Sequence, residues 1–284
     1  MLDMLCSFPA PCGNEEILKK YIVRKYPADW YEDSIGNLIL HKSGTKEKIM
    51  LYVSIDEDGF LVMEKQDKKI YFAQLGNKKV YPGLCVNFGG YKVVVCSTDK
   101  DTPDKNQYIE LLKEYEINQC DNGVADLEYY EDEGVAYTKE AASRLALDAI
   151  LDVIDIKSDY DLYIVLGVQS NKGYKGAQNA VNSIKPDKIF AFEPTSLEEL
   201  SYKVTTSGFM VNPECKNFVN ELSENTSITI IPEINKEGKS CAMYLKSAFT
   251  VVFGIPVGFP EDIRQTVKIE YKNEVEKLIK TILL

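Results

Sequence analysis

The sequence predicts an α/β fold interrupted by a small β-rich domain, and three observations carry that prediction. Apolar strand-like runs alternate with amphipathic helical segments at both ends of the chain. That rhythm breaks between about Asp58 and Gly134. With 284 residues, 45% of them hydrophobic, the chain can bury a large core and fold without covalent staples.

Near the start, Ile17, Leu18, Tyr21 and Ile22 share one helical face after the polar entry Gly13-Asn14-Glu15-Glu16. Leu38 to Leu40 and Ile49 to Ile55 follow as strands. A long helix is predicted from about Lys139 to Ile154, with Ala142, Leu145, Ala146, Ala149 and Val153 on one side. A buried strand, Leu162 to Val168, a helix near Gly176 to Ile184 and a strand, Ile189 to Phe192, come next. Ile228 to Ile231 and Thr250 to Phe253 read as strands separated by a helical stretch, Ala242 to Ala248. Val275, Leu278, Ile279, Ile282 and Leu283 mark a closing helix. Residues 58–134 offer only short strand-like pieces, Ile70 to Leu75, Cys85 to Phe88 and Lys92 to Cys96, broken by Pro82-Gly83 and Gly89-Gly90. The organisation expected is therefore one α/β domain from 1–57 and 135–284, with 58–134 inserted.

Several function classes are disfavoured by composition. A formal net charge of −11 with no basic stripe repels phosphate backbones, so no nucleic-acid partner is expected, whereas basic ligands and peptides remain compatible. No run approaches the ~20 apolar residues of a membrane span and no leader pattern opens the chain, so no membrane partner is expected and the cytoplasm is the expected location. Seven cysteines without a Cys-x-x-Cys pair read as packing thiols rather than a disulfide framework or zinc ribbon. Histidine occurs once, at His41, in Leu40-His41-Lys42-Ser43-Gly44, where it reads as an exposed strand end. Cysteine and serine nucleophiles both lack the bases they need, and Ser170 lies in no Gly-x-Ser-x-Gly elbow. Glycosidase chemistry would require Asp56 and Glu193 to face one another, because the side chains of Asp56 and Glu57 diverge.

Phe8-Pro9-Ala10-Pro11-Cys12-Gly13-Asn14-Glu15, Asp33-Ser34-Ile35-Gly36-Asn37-Leu38, Asp56-Glu57-Asp58-Gly59-Phe60, Gly173-Tyr174-Lys175-Gly176-Ala177, Lys185-Pro186-Asp187 and Gly254-Ile255-Pro256 occur in an informative order. Together they resemble the tetrahedral-assembly metallo-aminopeptidases, a family of glutamyl and lysyl aminopeptidases sometimes labelled cellulase or endoglucanase. The resemblance implies a mixed-sheet, zinc-peptidase-like domain with helices on both faces, an inserted β-rich domain, a homo-oligomer of at least two copies, and a two-metal site.

The implied ligand positions carry the wrong chemistry. Ser54 stands where the His-x-Asp-Glu motif has histidine, while Asp56, which would orient that histidine, remains. Ala142-Ser143-Arg144 replaces an Asp-Asp-Arg segment, and a methyl cannot bridge cations. Ser170-Asn171 replaces a Glu-Glu pair that would supply the general base and a ligand. Glu193 matches an aspartate ligand and is chemically competent, and the final histidine falls near Arg264. A hydrolytic metal site needs several imidazole or carboxylate donors. The expectation is accordingly a catalytically degenerate relative with no catalytic residues and no metal, and a peptide or small-molecule ligand in the old cleft or an assembly or regulatory role. A side-chain cation, Arg264 first and Lys172 second, is expected to pair with Glu193 or Asp56, the alternative being an Arg264 that points to solvent. The other reading is a metal-dependent aminopeptidase using zinc or cobalt.

Overall fold

A computed structural model describes residues 1–98, 107–111, 113–206, 209–234, 240–245 and 249–284. In chain order, helices α1 (Leu2–Ser7) and α2 (Glu16–Lys25) precede strands β1 (Trp30–Glu32), β2 (Leu38–Lys42) and β3 (Lys46–Ser54). Strands β4 (Gly59–Gln66), β5 (Lys69–Leu75), β6 (Cys85–Phe88), β7 (Tyr91–Ser97), β8 (Gln107–Glu110) and β9 (Asn122–Ala125) follow. They close into a barrel in the order β4-β5-β8-β7-β6-β9, filled by Phe60, Ile70, Val86, Phe88 and Ile109. The strand pieces expected in the insert are present, and their closure removes every unpaired edge.

The chain returns through β10 (Tyr130–Asp132) and β11 (Val135–Thr138), then α3 (Ala141–Asp152), β12 (Tyr160–Gly167), α4 (Lys175–Ile184), β13 (Lys188–Thr195), β14 (Ser201–Thr206), β15 (Phe209–Met210), α5 (Pro213–Thr226), β16 (Ile231–Ile234), β17 (Phe249–Pro256), β18 (Gln265–Lys268) and α6 (Tyr271–Leu283). The barrel strands end at Ala125, and β10 joins β11 and β18 in a separate three-stranded sheet.

The main sheet is mixed, in the order β1-β2-β12-β3-β13-β17-β14-β15, with β16 on β14. β12, β3, β13 and β17 run parallel at its centre. Central strands must be apolar on both faces when helices cover both. β3 meets that demand: Ile49, Leu51 and Val53 join the core under α1, α2, α3, α5 and α6, while Met50 and Tyr52 face the second core against α4. The α/β class, the mixed sheet and the helices on both faces agree with the sequence reading.

Three elements differ from it. Helix α5 carries its own start signal, an Asn212 side chain accepting from Glu214 N at 2.9 Å with Pro213 in the first turn. The strand expected at Ile228 to Ile231 forms instead at Ile231–Ile234, alongside β14. Of the expected Ala242 to Ala248 helix, a short 3-10 turn spans Cys241–Met243, and 246–248 lie outside the described residues.

Candidate functional site

Parallel strands deliver their carboxyl ends to one rim of the sheet, the usual place for a site in such folds. Here Ser54 ends β3, Ser170 lies in the turn after β12, and Glu193 sits late in β13. Together with Asp56, Ser143 and Asn171 they line a cleft of about 380 Å³, closed by Asp58, Lys78, Glu140, Tyr174 and Cys241. That volume is in the range of small-ligand pockets.

At two of the positions that the resemblance gives to metal ligands or the general base, Ser54 and Ser170, the side chains bond to each other. Ser170 Oγ donates to Ser54 Oγ at 2.6 Å, and the Tyr52 hydroxyl lies 3.4 Å from the same Ser54 oxygen. Asn171 N–H donates to Asp56 Oδ2 at 3.1 Å. Ala142 points into the core with 1% exposure, so the neighbouring Ser143 reaches the cleft instead.

Glu193 has both carboxylate oxygens engaged: Oε1 lies 3.3 Å from Lys203 Nζ, and Oε2 accepts from the Cys241 backbone N–H at 3.1 Å. Lys203 also pairs with Glu233, whose Oε2 accepts from Ser201 Oγ at 2.8 Å. Burial opposes the ammonium, but Glu193 and Glu233 outweigh it and hold Lys203 above the ordinary lysine pKa. Gly254 makes room for this arrangement, since a Cβ there would come within 2.2 Å of Ser201 Oγ and 3.0 Å of Glu233 Oε2.

A buried side-chain cation therefore neutralises Glu193, but it is neither residue expected. Arg264 is exposed in a separate groove with Tyr81, Leu127, Phe259 and Ile263, because β18 carries the chain away from the cleft. Lys172 is exposed on a 3-10 turn. Lys203 and Glu233 are absent from the sequence reading; Glu233 is a charge at the buried position of an otherwise apolar strand, whereas Lys203 stands among hydroxyl residues and carries no such signal.

Asp56 is 2% exposed, and its Oδ1 accepts no N–H or O–H bond. Burial raises its pKa despite the Asn171 and Ser170 bonds. Glu57 turns the other way, accepting from Ala10 N at 2.7 Å and pairing with Lys139 Nζ at 2.7 Å. His41 is the penultimate residue of β2, near the strand end as expected, but half-buried rather than exposed, against Asp161 Oδ1 at 2.7 Å and stacked on Tyr163. Three non-glycine residues at or beside the cleft hold left-handed backbone, Glu140 (φ 47°), Gln169 (φ 55°) and Tyr174 (φ 53°). Such strain concentrates at functional sites.

Asp58 supplies a pH test. Burial, and after it the Glu140 carboxylate, push it up to about 6 against the pull of Lys78. An unfolded aspartate titrates near ~3.9, so folding favours proton uptake between roughly pH 4 and 6, and stability falls as pH rises through that window. Asp58→Asn is expected to raise Tm relative to the native chain at pH 7.5, with the gap closing by about pH 4 in thermal melts. An equal gap at both pH values would contradict this assignment.

The residues present do not fit a pair of divalent cations. A dinuclear centre needs a bridging carboxylate and several further anionic or imidazole donors. At those positions the cleft offers serine hydroxyls, an Asn171 backbone group and a glutamate already held by a lysine; of its other carboxylates, Glu140 and Glu261 are paired with Lys78 and Lys79, and Asp56 and Asp58 accept backbone N–H bonds.

No family model matches the chain. It is 27% identical, over 84% of its length and 84% of the other's, to a protein of Acetivibrio thermocellus named "Putative aminopeptidase". Its fold matches an aminopeptidase from the archaeon Desulfurococcus kamchatkensis with a TM-score of 0.88, covering 99% of this chain and 93% of that one at 19% identity. It also matches the TET1 peptidase of Pyrococcus horikoshii, which assembles into a tetrahedron or a large octahedral shell, with a TM-score of 0.86, covering 100% and 98% at 22% identity. The resemblance read from the sequence thus holds for the fold across the whole chain. In the described residues no helix is long and apolar enough to cross a membrane.

Proposed function

We propose that this aminopeptidase-like chain has exchanged a two-metal hydrolytic centre for a binding cleft, and acts as a homo-oligomeric ligand-binding or regulatory protein without peptidase activity. One observation carries the reading: Lys203 occupies the charge-compensating role beside Glu193 that a metal would fill. A fixed ammonium satisfies a buried carboxylate but leaves no open coordination position to activate water. The cleft retains Asp56, Asp58, Glu140 and Glu261 with Lys78 and Lys79 at its walls, which suits a peptide or small molecule bearing a basic group. Self-association, of at least a dimer, is supported by the assemblies of the Pyrococcus protein of like fold.

The second reading, a metal-dependent aminopeptidase that releases N-terminal residues, is supported by the likeness to the Acetivibrio thermocellus protein. A chromogenic aminoacyl panel, assayed with the purified chain in added zinc and then cobalt, separates the two. No turnover above the buffer rate is expected. Metal-dependent release of the chromophore would establish the second reading and end the first.

A further inference from the structure

We propose that Cys12, Glu15 and Asp56 form a binding site for one thiophilic divalent cation of the zinc class, buried behind the Asp56 wall of the cleft and apart from the residues around Glu193. This inference goes beyond the cleft-binding reading and shares only Asp56 with it.

The three side chains come from two segments that the backbone holds side by side. Glu57 N–H donates to Ala10 O at 2.8 Å and Cys12 N–H to Glu57 O at 3.3 Å, so the 10–12 segment runs as a short bridge along 56–57. Gly13 then turns the chain in the left-handed region (φ 87°), and its N–H donates to Glu15 Oε1 at 2.7 Å. Glu15 stands at the N-cap position of α2, where its side chain makes no capping bond to the helix.

One potential ligand atom from each residue lies within 4.8 Å of the other two, and all three residues are buried. Zinc lengths of ~2.3 Å to sulfur and ~2.0–2.2 Å to oxygen set ligand separations of roughly 3.3–3.8 Å in a tetrahedron, within reach of small side-chain rotations. A thiolate with two carboxylates selects zinc-like ions over calcium or magnesium.

A second, independent observation points to the ligand. Asp56 Oδ1 is buried and accepts no N–H or O–H bond, a costly state for a carboxylate oxygen, and the thiol that hydrogen-bonds the Asp56 carboxyl group is that of Cys12 itself. Among the described residues no lysine or arginine forms an ion pair with Glu15 or Asp56. Asp56 has no histidine to orient, because Ser54 stands two residues before it. Asp56 also borders the cleft, which provides the entry path and room for a water as fourth ligand. Binding forms one metal–sulfur and two metal–oxygen bonds and releases the Cys12 thiol proton to solvent.

Cobalt(II) titration of the chelator-treated, reduced full chain tests this. One equivalent is expected to bind with a thiolate-to-cobalt charge-transfer band. Cys12→Ser is expected to abolish the band and Glu15→Gln to weaken binding at least about tenfold, while Glu193→Gln leaves both unchanged. A native chain without the band, a band surviving in Cys12→Ser, or unchanged affinity in Glu15→Gln would overturn the site. Circular dichroism verifies that each variant is folded, and the native spectrum decides alone if neither is. Turnover by the cobalt-loaded chain would defeat the cleft reading and leave this site standing; a missing band in a chain without turnover does the reverse.

Discussion

Lys203→Met is expected to destabilise the protein by about 3–5 kcal/mol, read as a shift in the urea unfolding midpoint at neutral pH. The magnitude comes from the asymmetry of buried ion pairs: removing one partner strands the other charge in a poor solvent. Here a single ammonium, 5% exposed, serves two carboxylates on different strands, Glu193 on β13 and Glu233 on β16. Without it they face each other in the core with no cation between them. The triple variant Lys203→Met/Glu193→Gln/Glu233→Gln should recover most of the loss, because neutral amides can hydrogen-bond without charge. A Lys203→Met loss below about 1 kcal/mol would mean that solvent or another cation reaches Glu193 easily. The premise of the binding-cleft reading would then be gone.

The fold was legible because burial on two faces writes itself into the strands. The unbroken apolar run in β3 and the helical spacing in α2, α3 and α6 require a covered sheet. Part of the motif set behind the resemblance is scaffolding. Asn37 receives the Val168 N–H at 3.0 Å and donates to Gly176 O at 2.9 Å, so two distant motifs lock one corner. Such bonds constrain the letters strongly whatever the cleft does. Closure of the barrel was not legible, since strand alternation specifies faces but not which distant strands pair. The charge near Glu193 was misplaced for a related reason. The expectation for Arg264 rests on its distance along the chain from Gly254-Ile255-Pro256, yet Gly258 and Phe259 redirect the backbone into β18. Lys203 reaches Glu193 from β14, two strands away in the sheet, a neighbour that chain position does not reveal.

Glu57→Leu is the second large effect expected, also about 3–5 kcal/mol by urea unfolding. Three successive acids leave the end of β3 for three different destinations, Asp56 to the cleft, Glu57 to the core and Asp58 to the barrel junction at Lys78. Glu57 has the most to lose. It is 1% exposed, its Oε1 receives the Ala10 N–H, and its Oε2 is the counter-ion of Lys139, itself 7% exposed just ahead of α3. Leucine would leave both the ammonium and the amide unpaired. Glu57→Gln retains an acceptor for Ala10 and should lose less. Glu57→Leu/Lys139→Met, which exchanges the whole pair for apolar groups, should recover more than half of the deficit. If that double variant were no more stable than Glu57→Leu, the cost would lie in the lost Ala10 tether rather than in a stranded charge. Because the Ala10 N–H bond to Glu57 Oε1 reinforces the two backbone bonds that hold Cys12 beside Asp56, Glu57→Leu should also weaken cobalt binding, whereas Lys203→Met, beside Glu193, should not.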